Sequence, residues 1–252
     1  GPSLFAFGFP CGSPPFPYFM RRWNGQSWQP VSNSFFDGTG HFGPVISIRD
    51  GSGPTIYGLT CSSIGSCYGN SVIRWTGTSW VPLGGPVDLA SNVRCLAAAE
   101  LGLGPKLFAG GTFSSIGGVS AARVAMWDGA NWHPIAGGTN GGCLVMCQYH
   151  DGRGPALYVG GGMTTAGGVP VHGLARWDGQ SWSDVGGGVG VGGWVNALTV
   201  FDDGRGPALY AAGGFGEAGG ISARNIARWD GAHWEALGHG FLQQSYDSSF
   251  FA

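Results

Sequence analysis

Charge is scarce in this chain. Its 252 residues include 12 Lys and Arg against 14 Asp and Glu, only 10% charged, for a formal net charge of −2. A nucleic-acid partner is therefore not expected, because phosphate binding needs a concentrated Lys/Arg surface. Also missing is any run of 18 apolar residues free of Gly and Pro, so no membrane-spanning helix is expected. Continuous helical periodicity is absent throughout. So are the G-x-S-x-G, H-E-x-x-H and C-x-x-C patterns of common nucleophile and metal chemistries.

What fills the space is glycine, 51 residues, with 15 prolines and 11 tryptophans. Disordered Gly-rich chains lack aromatics, whereas 13% of these residues are aromatic and recur in register. The glycines therefore read as turns between short strands.

The register is a long repeat. A double-tryptophan unit occurs as "WNGQSW" (Trp23 to Trp28), "WTGTSW" (Trp75 to Trp80), "WDGANW" (Trp127 to Trp132), "WDGQSW" (Trp177 to Trp182) and "WDGAHW" (Trp229 to Trp234). First tryptophans lie 52, 52, 50 and 52 residues apart. A second marker, "GP" followed by an apolar strand, starts at Gly1, Gly53, Gly104, Gly154 and Gly206, so both markers count five copies.

Each copy reads as four strands, as in "WVNALTVF" (from Trp194), "ALYAAGGF" (from Ala208), "NIARW" (from Asn225) and "HWEAL" (from His233). Asp-Gly or Asn-Gly between strand-like runs is a strong hairpin signal. Four-stranded repeats of this length predict an all-β fold, a five-bladed β-propeller of four-stranded antiparallel blades forming one domain over residues 1–252. From Trp229 to the end and from Gly1 to Trp23 is 46 residues, close to one period. The expectation follows that "SYDSSFFA" (from Ser245) pairs into the N-terminal blade and closes the ring.

The Gly doublets (Gly110-Gly111, Gly160-Gly161, Gly213-Gly214), the aromatic before each and the later Trp resemble kelch-type propellers. The recurring D-G-x-x-W resembles the core of the Asp-box hairpin of sialidase-like propellers, though that motif's preceding Ser or Thr is missing and a Trp stands directly before the Asp. The tandem "ARWDGxxW…GPALYxGG" pattern is similar to repeats in secreted bacterial proteins. The resemblance implies a fold; propellers host lectins, scaffolds and enzymes alike.

All five hairpins keep both tryptophans while the turn Asp drifts to Asn24 and Thr76, which points to packing between blades and ordinary turn chemistry. Sites are expected where copies disagree. The first strands, expected to line a central channel, differ most. For a hydrolase at the channel mouth they supply His41, Arg94, Cys143, His150 and Asp247 as catalytic candidates. No cofactor or metal is expected: one carboxylate per D-G turn is too few for calcium, and Cys143 and Cys147 are ~13 Å apart along a strand, too far to chelate one ion. A second departure is the loop "FPCGSPPFPYFMR", whose Phe16, Tyr18 and Phe19 either form a binding protrusion or plug the ring.

Six cysteines are present. Cys61 and Cys67 bracket a short loop and are expected as a disulfide, with Cys11 to Cys61 or to Cys67 as rivals. Cys95, Cys143 and Cys147 are expected as buried free thiols. Low charge and a loop disulfide suit a secreted or extracytoplasmic setting. No signal peptide opens the sequence, which reads as a mature or trimmed form. Two functions compete: a non-catalytic binding propeller whose partner is a glycan, another small-molecule ligand or an extracellular surface, or the channel-mouth hydrolase. Nothing in the sequence fixes an oligomeric state.

Overall fold

A computed structural model describes residues 4–8, 19–23, 25–30, 41–49, 54–61, 69–85, 92–102 and 104–240. Among the described residues every regular element is a strand. Among them, no helix is long and apolar enough to cross a membrane.

The strands group into five units in chain order. Unit 1 holds β1 (Leu4–Gly8), β2 (Phe19–Trp23) and β3 (Trp28–Pro30). Unit 2 holds β4 (His41–Arg49), β5 (Pro54–Cys61), β6 (Gly69–Trp75) and β7 (Trp80–Pro82). In unit 3, β8 (Val93–Glu100) and β9 (Pro105–Gly111) precede a hairpin of β10 (Ser115–Ile116) and β11 (Val119–Ser120), then β12 (Val124–Trp127) and β13 (Trp132–Pro134). Unit 4 repeats this with β14 (Cys143–His150), β15 (Pro155–Gly161), β16 (Thr165–Ala166), β17 (Val169–Pro170), β18 (Leu174–Trp177) and β19 (Trp182–Asp184). Unit 5 has β20 (Trp194–Asp202), β21 (Pro207–Gly214), β22 (Glu217–Ala218), β23 (Ile221–Ser222), β24 (Ile226–Trp229) and β25 (Trp234–Ala236).

Units 4 and 5 are four-stranded antiparallel sheets, β14-β15-β18-β19 and β20-β21-β24-β25. Units 2 and 3 repeat that order and are joined by a single bridge, Gly69 to Val93. Unit 1 shows three strands. The four strands expected from sequence are thus present in units 2 to 5. One segment adds to the four strands expected of each copy: the "SSIGGVSAA" stretch and its relatives fold into two-stranded hairpins. A Gly pair at each tip takes the positive φ that such a turn requires.

Burial shows where the core sits. Side chains of β8 alternate buried and half-buried along the strand, the period-2 signature. The buried residues fall into clusters between consecutive sheets. Leu59, Phe113 and Trp132 fill the layer between units 2 and 3, Phe108, Leu157 and Trp182 that between 3 and 4, and Tyr158, Leu209 and Trp234 that between 4 and 5. First strands of successive units pack side by side, β4 on β8, β8 on β14 and β14 on β20. One Gly of each doublet, at Gly111, Gly161 and Gly213, is imposed by a bulge in the first strand. At Gly161 a Cβ would lie 2.0 Å from the Gly142 carbonyl oxygen, so only glycine fits.

The double tryptophan is the rivet between units. The two indoles of each hairpin pack tilted, with centroids 5.2 Å apart for Trp177 and Trp182. The second indole donates its Nε1–H back to the preceding unit: Trp132 to Leu83 O at 2.9 Å, Trp182 to Ala136 O at 3.0 Å and Trp234 to Val185 O at 2.8 Å. Its edge also lies on the hairpin tip of its own unit, where a Cβ on Gly167 would meet Trp182 Cδ1 at 2.3 Å. Turn chemistry explains the drifting Asp. Asp178 Oδ1 accepts from the amides of Gln180 and Ser181, and in unit 2 Thr76 Oγ1 accepts from the Ser79 amide.

Candidate functional site

Of the described catalytic candidates, Cys143 and His150 do not come together. Cys143 opens β14 and is buried, while His150 closes the same strand and is exposed. Seven residues of extended chain separate them by ~23 Å. Burial, and a contact with Cys95, pushes the Cys143 thiol up, which disfavours a nucleophilic thiolate. Arg94 is half-buried near the start of β8. His41 begins β4, opposite Cys61 at the end of β5, and Phe19 begins β2. The side chains of His41, Phe19 and Cys61 lie outside the described residues, as do Phe16, Tyr18, Cys67, Cys11 and Asp247. The expected Cys61–Cys67 disulfide therefore lies outside them too. Cys95, Cys143 and Cys147 are unbonded in this structure; the first two are buried, and Cys147 is only partly so, packed against the layer shared with unit 5. Among the described residues no cluster of three His, Cys, Asp or Glu is placed to hold a metal ion.

A buried ionic cluster occupies the end of unit 4. Asp151, in the β14–β15 turn, accepts from Tyr158 Oη at 2.8 Å, from Arg176 Nε at 2.8 Å and from Arg153 Nε at 2.9 Å. Burial alone would raise the Asp151 carboxyl. Hydrogen bonds from Tyr158 and Arg153 and the charge of Arg176 outweigh it and hold the group below its ordinary range. Unit 5 builds a more exposed version from Asp203, Arg205, Tyr210, Arg228 and Glu235. In unit 3 the corresponding residues are Leu101, Phe108 and Met126, with Phe108 opposite Met126 as Tyr158 is opposite Arg176. A cluster that can be exchanged whole for apolar side chains is architecture rather than chemistry.

The remaining feature is a cleft of about 250 Å³ between units 2 and 3. Ile48 and Tyr57 come from β4 and β5. Pro105, Lys106 and Leu107 come from β9, and Trp127, Asp128 and Gly129 from the end of β12 and its turn. Three features make it polar. Lys106 is half-buried, and its ammonium forms no ion pair among the described residues. Asp128 is fixed as an anion. The amides of Asn131 and Ala130, each at 2.7 Å from Oδ1, and His133 Nε2 at 2.7 Å from Oδ2 hold its carboxyl well below the usual range. Trp127 is buried, and its Nε1–H has no acceptor among the described residues.

Lys106 is also a departure from the repeat. The residue after the "GP" proline is Ser3, Thr55, Ala156 or Ala208 in the other units. The signal stands in the sequence, in a column outside the first strands and loops where the copies differ most. The neighbouring junctions show why a small residue suffices elsewhere. There Leu101 packs over Gly179, and the Asp151 carbonyl lies over Gly231 while Tyr149 Oη donates to Pro207 O at 3.0 Å. Comparison with protein-family models, curated proteins and solved structures finds no match.

Proposed function

We propose that the chain is a secreted or extracytoplasmic five-bladed propeller that binds a glycan without chemistry, with its contact site at the cleft between units 2 and 3. The ring is supported by an unfinished surface. Trp194, Phe201 and Val200 of β20 are 47%, 58% and 37% exposed, where β8 and β14 are covered by the following unit. Five units arranged in a ring would set this face against unit 1, with residues 245–252 adding the inner strand of that sheet.

The observation that carries the binding reading is Lys106, which stands where the other units carry a small residue and whose ammonium, open to solvent at the cleft, has no ion-pair partner among the described residues. A cleft with an ammonium donor on one wall and a locked carboxylate on the other suits a polyhydroxylated ligand, which offers donors and acceptors together. The volume holds roughly eight waters' worth of ligand, the scale of one sugar ring. The test is a glycan array probed with the folded chain, Lys106→Ala and Asp128→Asn. The expected result is binding that Lys106→Ala abolishes and Asp128→Asn weakens, since unit 1 carries Asn at the corresponding sequence position, Asn24. An array blank for the parent chain, together with turnover in a hydrolase screen, defeats the proposal.

A further inference from the structure

Where unit 3 meets unit 4, two thiols face each other. Cys95 of β8 and Cys143 of β14 approach to 3.6 Å between Sγ atoms, and both are buried. They sit over Gly110, where a Cβ would lie 2.3 Å from Cys143 Sγ and 2.8 Å from Cys95 Sγ. The next junction is built alike with other residues. Over Gly160 lie Val145 of β14 and Val195 of β20, each with a Cγ1 within 2.9 Å of where a Cβ would stand. The registers match: Cys95 is opposite Gly110 as Val145 is opposite Gly160, and Cys143 is opposite Gly161 as Val195 is opposite Gly213. One junction thus replaces both valines of a touching pair with the one residue type that can bond to itself.

We propose that Cys95 and Cys143 form a disulfide that staples unit 3 to unit 4. The sulfurs need an approach of only ~1.5 Å to reach bonding distance. Once the layer is packed, both thiols are sealed from solvent, so the bond forms while the chain folds. One cysteine thiolate attacks glutathione disulfide, giving a mixed disulfide and one released glutathione. The second cysteine thiolate then displaces the other glutathione. Two thiols are oxidised, one glutathione disulfide is reduced to two thiols, and the two protons pass to the released glutathiones. The bond closes a loop whose ends are 48 residues apart, so its gain in stability comes largely from the unfolded chain. The inference is independent of what the cleft binds.

The test refolds the full chain from the reduced, denatured state in glutathione redox buffer or in dithiothreitol, followed by alkylation in denaturant and tryptic mapping. The expected product joins the peptide that begins at Cys95 to the one containing Cys143, with fragment sequencing separating Cys143 from Cys147. The glutathione-refolded chain should melt roughly 5–10 °C higher than the reduced chain. A Cys95→Val/Cys143→Val variant, which copies the Val145/Val195 pair, should fold in both buffers and lose that difference. Full alkylation of both thiols after glutathione refolding overturns the proposal, as does either thiol joined to a different cysteine, or a crosslinked chain that melts lower.

Discussion

Units 3 and 4 share a backbone plan and a hairpin rivet, yet they fill the same three places in opposite ways. Unit 4 buries Asp151, Tyr158 and Arg176 in a hydrogen-bonded cluster, with Asp151 8% and Arg176 4% exposed. Unit 3 puts Leu101, Phe108 and Met126 there, and Leu101 and Met126 pack against the apolar layer shared with unit 4. The architecture therefore asks for a complete set of either kind. Desolvation cancels most of the Coulombic gain of the ionic set, so neither filling dominates. What the structure cannot tolerate is a mixture, because one member removed leaves its partner charged and buried.

Breaking that comparison gives the largest expected effect. Asp151→Leu or Arg176→Met alone should destabilise the chain by about 3–5 kcal/mol in denaturant unfolding. The triple change Asp151→Leu, Tyr158→Phe, Arg176→Met, which writes unit 3 into unit 4, should return stability to within about 1 kcal/mol of the parent or above it. A triple variant as unstable as the singles would show that the ionic set is required by its own unit.

A smaller effect comes from the rivet. Gly167→Ala should cost about 2–3 kcal/mol, because the new methyl collides with Trp182 Cδ1 as well as straining a left-handed backbone. Its neighbour Gly168 also has positive φ, but nothing lies within 4 Å of its added Cβ, so Gly168→Ala should cost about 1–2 kcal/mol. Thermal melts of the two variants separate collision from strain.

The pH dependence sharpens the same contrast. The Asp151 carboxyl in the folded chain lies below its unfolded value of about 3.9. Its contribution is therefore complete above that value and lost as pH falls from there through the folded pKa. Unfolding curves from pH 6 to pH 2 should show the parent losing more stability than the unit-3-like triple variant, with the difference confined to the region below about pH 4. Parallel curves would contradict the assignment.

The repeat was legible because packing and turn chemistry are periodic. Tryptophan spacing, Gly doublets and Asp-Gly turns are each tied to one contact repeated in units 3, 4 and 5, and the strands fall where those signals put them. The hairpins β10–β11, β16–β17 and β22–β23 were missed because two-residue strands carry no periodicity; only their Gly-Gly tips mark them. The site was less legible. Variation in the first strands drew attention to Cys143 and His150, but a strand that is long compared with side-chain reach holds its two ends apart. Lys106 and the Asp151 cluster were visible only as columns read across the units: a lysine among small residues, and Asp, Tyr and Arg exchanged together for Leu, Phe and Met.

If departures from the repeat carry the binding, making unit 3 resemble its neighbours at one position should remove it without touching the fold. The decisive measurement is calorimetric titration of the highest-scoring array glycan into the parent chain and Lys106→Ala. The account predicts at least a tenfold weaker Kd for Lys106→Ala, with unfolding free energy within about 0.5 kcal/mol of the parent. Equal affinity in the parent and Lys106→Ala would contradict it.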